Sequence, residues 1–337
     1  MSRIISLNDL RQIAADFIHE GGIAVAPVPF DNDRVFFEKI SEEQAKNIVL
    51  SGWLKVANTV KDFFFPRHET LFSFVRKRND IEITAPPEFN QPQLLFGCRP
   101  CEAASLPILD RVFAWDYQDR FYQARREMTT VVTIACHESD EECFCSAVGG
   151  SPENTEGSDA LLYNLGDQTF EVRPLTPKGE KLFEGKTSES MKTGKACDPP
   201  PVTFDVTKAK AWLDTHFDDP LWQEKTLRCV GCGACTYLCP TCHCFDIVDE
   251  GSYKKGERVK NWDFCQSALF TLHASGHNPR PDQGSRQRQR ITHKFSIYPE
   301  KFGAILCTGC GNCTRHCPTG LGIKPMLETI EKKDMNQ

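Results

Sequence analysis

Seventeen cysteines stand in this 337-residue chain, and their spacing says more than their number. Two runs, CVGCGACTYLCP (Cys229 to Pro240) and CTGCGNCTRHCP (Cys307 to Pro318), agree at every Cys, Gly and Pro. Each has the form C-x2-C-x2-C-x3-C-P, in which three thiolates hold one [4Fe-4S] cube and the fourth crosses to the other. The expected ligands are Cys229, Cys232 and Cys235 with Cys317 for a first cluster, and Cys307, Cys310 and Cys313 with Cys239 for a second. Soft thiolate suits iron–sulfur cores, the glycines let backbone N–H groups approach the cluster sulfurs, and the proline turns the chain away after the crossing ligand. A zinc module also uses C-x2-C pairs, but it has no need of the x3-C-P extension twice. With cysteine at every corner, both cubes suit outer-sphere electron transfer rather than substrate binding, and no catalytic residue is assigned.

A third grouping lies upstream. QLLFG (93–97) and TTVVTIA (129–135) read as buried strands separated by helical stretches, the pattern of a right-handed crossover in a parallel sheet. Both run into cysteine, which delivers Cys101 and Cys136 to one carboxyl edge, where α/β folds place their ligands. Pro100 would open a helix with Cys101 in its first turn. Cys143 and Cys145 follow in a C-F-C pair on a short loop. These four are the expected ligands of a third [4Fe-4S] cluster, set against the plainer alternative of ordinary buried thiols.

The elements that must position these groups read as follows. Leu7, Leu10, Ile13, Ala14 and Phe17 mark a helix face, and IAVAPV begins a strand. SEEQAKNIVLSG looks like a Ser-capped helix, and KDFFFPRHETLFSFV is an aromatic core segment broken by Pro66. Residues 149–201 read as a loop-rich excursion and linker with one weak strand signal at QTFEVRPL. KAKAWLDTHFDDPLWQEKTLR is helical apart from a break at Pro220. The expected architecture is an α/β domain with a short parallel sheet over 1–148, the excursion, and an α+β two-cluster ferredoxin-like domain over 202–337. That last domain carries a long insertion, 240–306, with CHCFD, Cys265, SGHNPRP and the basic run RQRQRITHK. Cys242, Cys244 and Cys265 are one thiol short of a four-ligand site, so extra metal and packing thiols both stay open, as do the roles of Cys98 and Cys197. The basic run is expected to be a solvated face or to meet an acidic partner. His137, His243, His277 and His293 are read as hydrogen-bonding residues.

Composition narrows the function classes. Forty Lys+Arg against 46 Asp+Glu give a net charge of -6, so no broad positive field favours nucleic acid or an anionic membrane. No apolar run is long enough to span a bilayer, and the N-terminus lacks an apolar signal core, which places the chain in the cytoplasm. There cysteines serve as thiols, metal ligands or redox groups rather than structural disulfides. No G-x-G-x-x-G follows a strand and no P-loop occurs, so neither flavin nor NAD(P) is expected on this chain.

The segments FFFPRHETLFSF, FGCRPCEAASLPILDRVF, ACHESDEECFCSAVGGSP, LCPTCHCFD, ASGHNPRPDQGSRQR and CTGCGNC carry a resemblance. From about Asp62 to Ile323 the chain resembles the 4Fe-4S dicluster proteins typified by the sulfhydrogenase beta subunit and by the corresponding iron–sulfur component of anaerobic sulfite reductase. The resemblance implies an iron–sulfur electron-transfer subunit of anaerobic metabolism. It would link a flavin/NAD(P)-binding subunit to a terminal oxidoreductase subunit of hydrogenase, heterodisulfide reductase or sulfite reductase type, and it adds weight to the third cluster. One departure is Cys98, where members more often have an aliphatic residue before RPC; this leaves Cys101 the better ligand. Two other readings compete: a sulfur-compound reductase with catalysis at the N-terminal cluster, and a zinc-organised interaction module. A three-cysteine cluster there would be open to substrate, whereas four cysteines close it.

Overall fold

In the computed structural model, which describes residues 1–334, two sheets and a helical layer surround the cysteines. Ser6 caps helix α1 (Leu7–His19) by accepting from the Asp9 N–H, and Leu7, Leu10, Ile13 and Ala14 form its buried face. That stripe packs on a sheet of eight strands: β1 (Ser2–Ser6), β2 (Ile23–Pro29), β3 (Val35–Ile40), β6 (Gln93–Cys98), β7 (Thr129–Ile134), β8 (Ala160–Gly166), β9 (Thr169–Pro174) and β10 (Ser188–Ser190). Their order is β10-β1-β9-β8-β7-β6-β2-β3. The centre, β2, β6, β7 and β8, is parallel, and the flanking strands are antiparallel. The helices between β6 and β7 are α2 (Pro100–Ala103), α3 (Ser105–Phe113) and α4 (Arg120–Met128).

The sheet is larger than the short parallel one expected, because residues 149–201 are not a loop-rich excursion. They supply β8, β9, β10 and α5 (Pro177–Phe183), and Ala160 to Tyr163 form a continuous buried run of the kind a central strand needs. The β8–β9 turn uses Asp167 and Gln168 at φ 48° and 54°, a left-handed pair usually announced by Asn or Gly. SEEQAKNIVLSG likewise forms only a short 3-10 turn, Glu43–Asn47.

A second, antiparallel sheet has the order β11-β12-β4-β5. Strands β4 (His68–Lys77) and β5 (Asp80–Thr84) come from the N-terminal half, and β11 (Phe245–Gly251) and β12 (Lys255–Trp262) from the insertion. The insertion is thereby fastened to the N-terminal half through the β12–β4 ladder. Trp262 anchors the joint: it is buried with Phe64, Phe65 and Phe113, and its indole N–H donates to the Phe65 carbonyl at 2.9 Å.

The helical layer comprises α6 (Val206–Thr215), α7 (Leu221–Thr226), α8 (Ala234–Tyr237), α9 (Gln283–Thr292), α10 (Tyr298–Phe302), α11 (Asn312–Arg315) and α12 (Ile323–Asp334). Trp212, Trp222, Ile291 and Leu327 form its core, which also takes in Phe144 from the Cys143–Cys145 loop. Helix α9 opens on an Asp282–Ser285 capping box and continues through a π-helical turn, His293–Ile297, into α10.

Candidate iron–sulfur sites

The sequence duplication is also a duplication of backbone. Gly231 and Gly309 both have φ 66°, and Gly233 and Gly311 have φ 77° and 76° and cap α8 and α11. A Cβ at Gly311 would meet the Glu142 carbonyl oxygen at 2.6 Å, and one at Gly309 would meet the Cys145 backbone at 2.5 Å. Glycine is needed here both for the left-handed turn and for close approach. Cys229, Cys232, Cys235 and Cys317, the four ligands expected for the first cluster, line one cavity together with Gln266 and Gln287. Cys232 is the exposed member.

Around the second site, Cys239 and Cys310 are buried and Cys307 lies within electrostatic reach of Cys239 and Cys313. The surroundings of Cys239 favour its thiolate form. Its pKa falls well below the ordinary thiol value, first because the Cys242 thiol donates to it, then through Lys294 and Thr241. Lys294 Nζ stands 3.4 Å from the Cys239 sulfur and donates also to the Leu306 carbonyl at 2.9 Å. Thr241 and Thr319, each two residues past the fourth cysteine of its motif, bring hydroxyls 3.2 Å and 3.4 Å from Cys239 and Cys317. Backbone N–H groups of Leu321 and Ile323 donate to Cys317 and Cys313 at 3.2 Å and 3.4 Å. The repeated Pro-Thr after the crossing cysteine was the sequence signal for these hydroxyls.

At the upstream grouping, β6 and β7 are parallel neighbours. Pro100 stands at the start of α2 with Cys101 next to it, and Cys136 follows the end of β7. Cys136 and Cys145 have pKa values pushed up to about 11 and about 12, by burial first; Cys101 contributes to both, and Cys136 and Cys143 contribute to the Cys145 shift. Cys101, Cys136 and Cys143 thus all lie within electrostatic reach of Cys145. Cys98 is not among them, since it is fully buried in the core beneath the helices. Cys197 donates its N–H to the Cys136 carbonyl at 2.8 Å and so braces that position. The upstream and second sites abut: the Phe144 N–H donates to the Gly309 carbonyl at 3.0 Å.

The cations were not foreseen. Lys61, Arg99, Arg290 and Lys294 are each 2% exposed, and none forms a salt bridge among the described residues. Arg290 and Lys294 belong to the basic run expected to face solvent; α9 and the turn after it carry them inward instead. Burial alone would strip their charge, but nearby thiolates outweigh it: Cys235, Cys313, Cys242 and Cys239 for Arg290, and Cys239, Cys242 and Cys307 for Lys294, so both pKa values rise. Arg290 Nε and Nη1 have no hydrogen-bond partner among the described residues. Lys55, partly buried, donates to the Cys101 sulfur at 2.8 Å and is raised in pKa by Cys101, Cys136, Cys143 and Cys310 against its burial. Arg99 fixes that loop through the Trp53 and Leu54 carbonyls, at 2.6 Å and 3.3 Å.

A buried, unpaired cation costs several kcal/mol, so this collection fits an anionic group at the thiols. A [4Fe-4S] core with four thiolates carries about two negative charges and accepts further N–H donors at its sulfurs. Among the described residues no three His, Cys, Asp or Glu side chains close on a single metal ion. A cube spreads its thiolates wider than a zinc ion with bonds of about 2.3 Å.

Residues 228–321 match the family described as a 4Fe-4S dicluster domain. The chain is 29% identical over 293 residues to sulfhydrogenase 2 subunit beta of Pyrococcus furiosus, covering 81% of this chain and 82% of that one. No solved structure matches it. No described helix is long and apolar enough to cross a membrane. With duplicated cysteine loops, cations turned toward thiols and a match that runs through both halves, the chain is similar to the 4Fe-4S dicluster iron–sulfur subunits typified by the sulfhydrogenase beta subunit.

Proposed function

We propose that this chain is the electron conduit of a cytoplasmic oxidoreductase complex, with three [4Fe-4S] clusters in a row. Cys229, Cys232, Cys235 and Cys317 would hold the first, Cys239, Cys307, Cys310 and Cys313 the second, and Cys101, Cys136, Cys143 and Cys145 the third. Bound there, the clusters would supply one-electron transfer without substrate ligation. The observation that supports the reading is the continuity of the thiol groups: Cys235 lies within electrostatic reach of Cys313, and Cys310 within reach of Cys101.

The chain's own residues do the remaining work. Lys55, Lys294 and Arg290 stabilise negative charge along the row, and the aromatic and aliphatic cores keep water from its middle. Both ends reach the surface, at exposed Cys232 and at a cleft lined by Cys101, Cys145 and Cys307. Two openings suit two partners: a flavin/NAD(P)-binding subunit on one side and a terminal oxidoreductase subunit on the other. The competing sulfur-compound reductase would need an open corner at the third site, and four gathered cysteines argue against one.

The test is anaerobic analysis of the purified chain. About twelve irons and as many sulfides are expected, under the four-iron, four-cysteine stoichiometry, with no flavin. Replacing both Cys143 and Cys145 by Ser should lower the content to about eight while leaving two electron paramagnetic resonance signals. About eight irons in the unaltered chain, unchanged by those substitutions, would remove the third cluster and shorten the conduit.

A further inference from the structure

Cys244 and Cys265 are used by none of the three cysteine sets. Their backbones meet where the β11–β12 ladder ends, one step beyond the Phe245–Trp262 pair: the Asp263 N–H donates to the Cys244 carbonyl at 3.1 Å. Two residues past Asp263, the Cys265 thiol stands in S–H···S contact with that of Cys244. Gln266 Nε2 lies 3.7 Å from the Cys265 sulfur and donates to the Arg286 carbonyl at 3.0 Å. Gln266 also lines the first-site cavity, and Phe264 packs against Gly233 of the first-site loop. Both residues are partly exposed although their thiols are largely buried, and Phe245 and Leu269 beside them are 40% and 74% exposed.

The geometry points to Cys244 and Cys265 as a redox-active dithiol at the rim of the first site, a place where an organic disulfide is reduced. Cys265 is the attacking sulfur. The Cys244 thiol donates to it, and Arg290, Gln266 and Lys294 also favour its thiolate against burial, so its pKa falls while that of Cys244 rises. Attack on a disulfide RS–SR forms a Cys265–S–SR bond and expels RS⁻. Attack by Cys244, as it loses its proton, then forms the Cys244–Cys265 bond and expels the second RS⁻. Two protons from solvent complete two RSH. Two electrons, delivered singly from the iron–sulfur path and joined by two protons, break the new disulfide and restore both thiols. The inference rests on the conduit reading for those electrons, but not for the exchange itself.

The test uses the anaerobic, cluster-loaded full chain and oxidised glutathione as probe. Peptide mapping after blocking free thiols should find Cys244 linked to Cys265, and in Cys244→Ser a glutathione adduct trapped on Cys265. Dithionite-reduced chain, freed of excess reductant, should lose its electron paramagnetic resonance signals on adding the probe. The loss should slow at least tenfold in Cys265→Ser. Absence of the Cys244–Cys265 link in the unaltered chain overturns the dithiol. So does a Cys265→Ser chain that lacks about four irons relative to the unaltered one, which would make Cys265 a cluster ligand. An iron count of about eight in the unaltered chain, with the link still formed, would instead strike the three-cluster conduit and leave the dithiol standing.

Discussion

Replacing Lys55 by Met should make the third cluster harder to reduce. The Lys55 ammonium stands 2.8 Å from the Cys101 sulfur and also within electrostatic reach of Cys136, Cys143 and Cys310. Reduction adds one negative charge spread over the cube, so the relevant separation is about 5–6 Å rather than the sulfur contact. At an effective dielectric of about 20 that attraction is roughly 3 kcal/mol, and about 1.4 kcal/mol corresponds to about 59 mV for one electron. The midpoint should therefore fall by about 130 mV, or about half that where water screens the partly buried lysine. The second cluster should move less, in the same direction, through Cys310. Lys55→Arg should stay within about 30 mV of the unaltered chain, by keeping the charge. Redox titration followed by electron paramagnetic resonance reads each centre separately. An upward shift in Lys55→Met, or none beyond about 20 mV on the same scale, would refute the claim that this ammonium compensates charge at the cluster.

Two further outcomes follow from local geometry. Gly309→Ala places a Cβ 2.5 Å from the Cys145 backbone at a φ of 66°, so it should cost about 2 kcal/mol or more and loosen the third cluster before the first. Anaerobic thermal unfolding and iron content check this. His243 and His293 are held neutral, with pKa values lowered to about 4 and about 3 by burial first and then by nearby cations, Lys294 and Lys61 for His243 and Lys294 and Arg280 for His293. Unfolded histidine takes up a proton below about pH 6.5 while the folded side chains do not, so stability should fall as pH drops from there toward 4. The slope is about 1.4 kcal/mol per pH unit for each histidine, read by denaturant unfolding, and His243→Gln should flatten it.

Much of the chemistry was legible because ligand spacing is a local property. The two C-x2-C-x2-C-x3-C-P runs, the strand period of QLLFG and TTVVTIA, and the cysteines at their ends all lie within short windows, and the helix stripe of α1 is equally plain. The cations were not legible. A lysine at 55 or 294 looks the same in sequence whether it is solvated or buried, and the negative charge that makes its burial tolerable is assembled from distant cysteines. RQRQRITHK shows this best: its period sends Arg290 and Lys294 inward, yet its composition reads as surface. Strands β8 to β10 were masked in a similar way, by Gly, Ser and Lys around them and by a turn built from Asp167 and Gln168 rather than Asn-Gly. Pairing of β12 with β4 left no sequence signal, because register across so long a separation is set by packing around Trp262.

That pairing imposes an order on biogenesis. His68 meets Asn261, 193 residues further along the chain, and at about 5–20 residues per second the ribosome needs roughly 10–40 s to deliver the partner. During that interval β4 has only β5 beside it, with Phe72 and Phe74 on an unpaired edge, a liability for aggregation. Glycines 309 and 311, which press against the Cys143–Cys145 loop, emerge later still. The upstream thiols thus wait in an incomplete pocket until nearly the whole chain exists. On the three-cluster reading, iron–sulfur insertion at that pocket would then be a late event, following synthesis of nearly the whole chain.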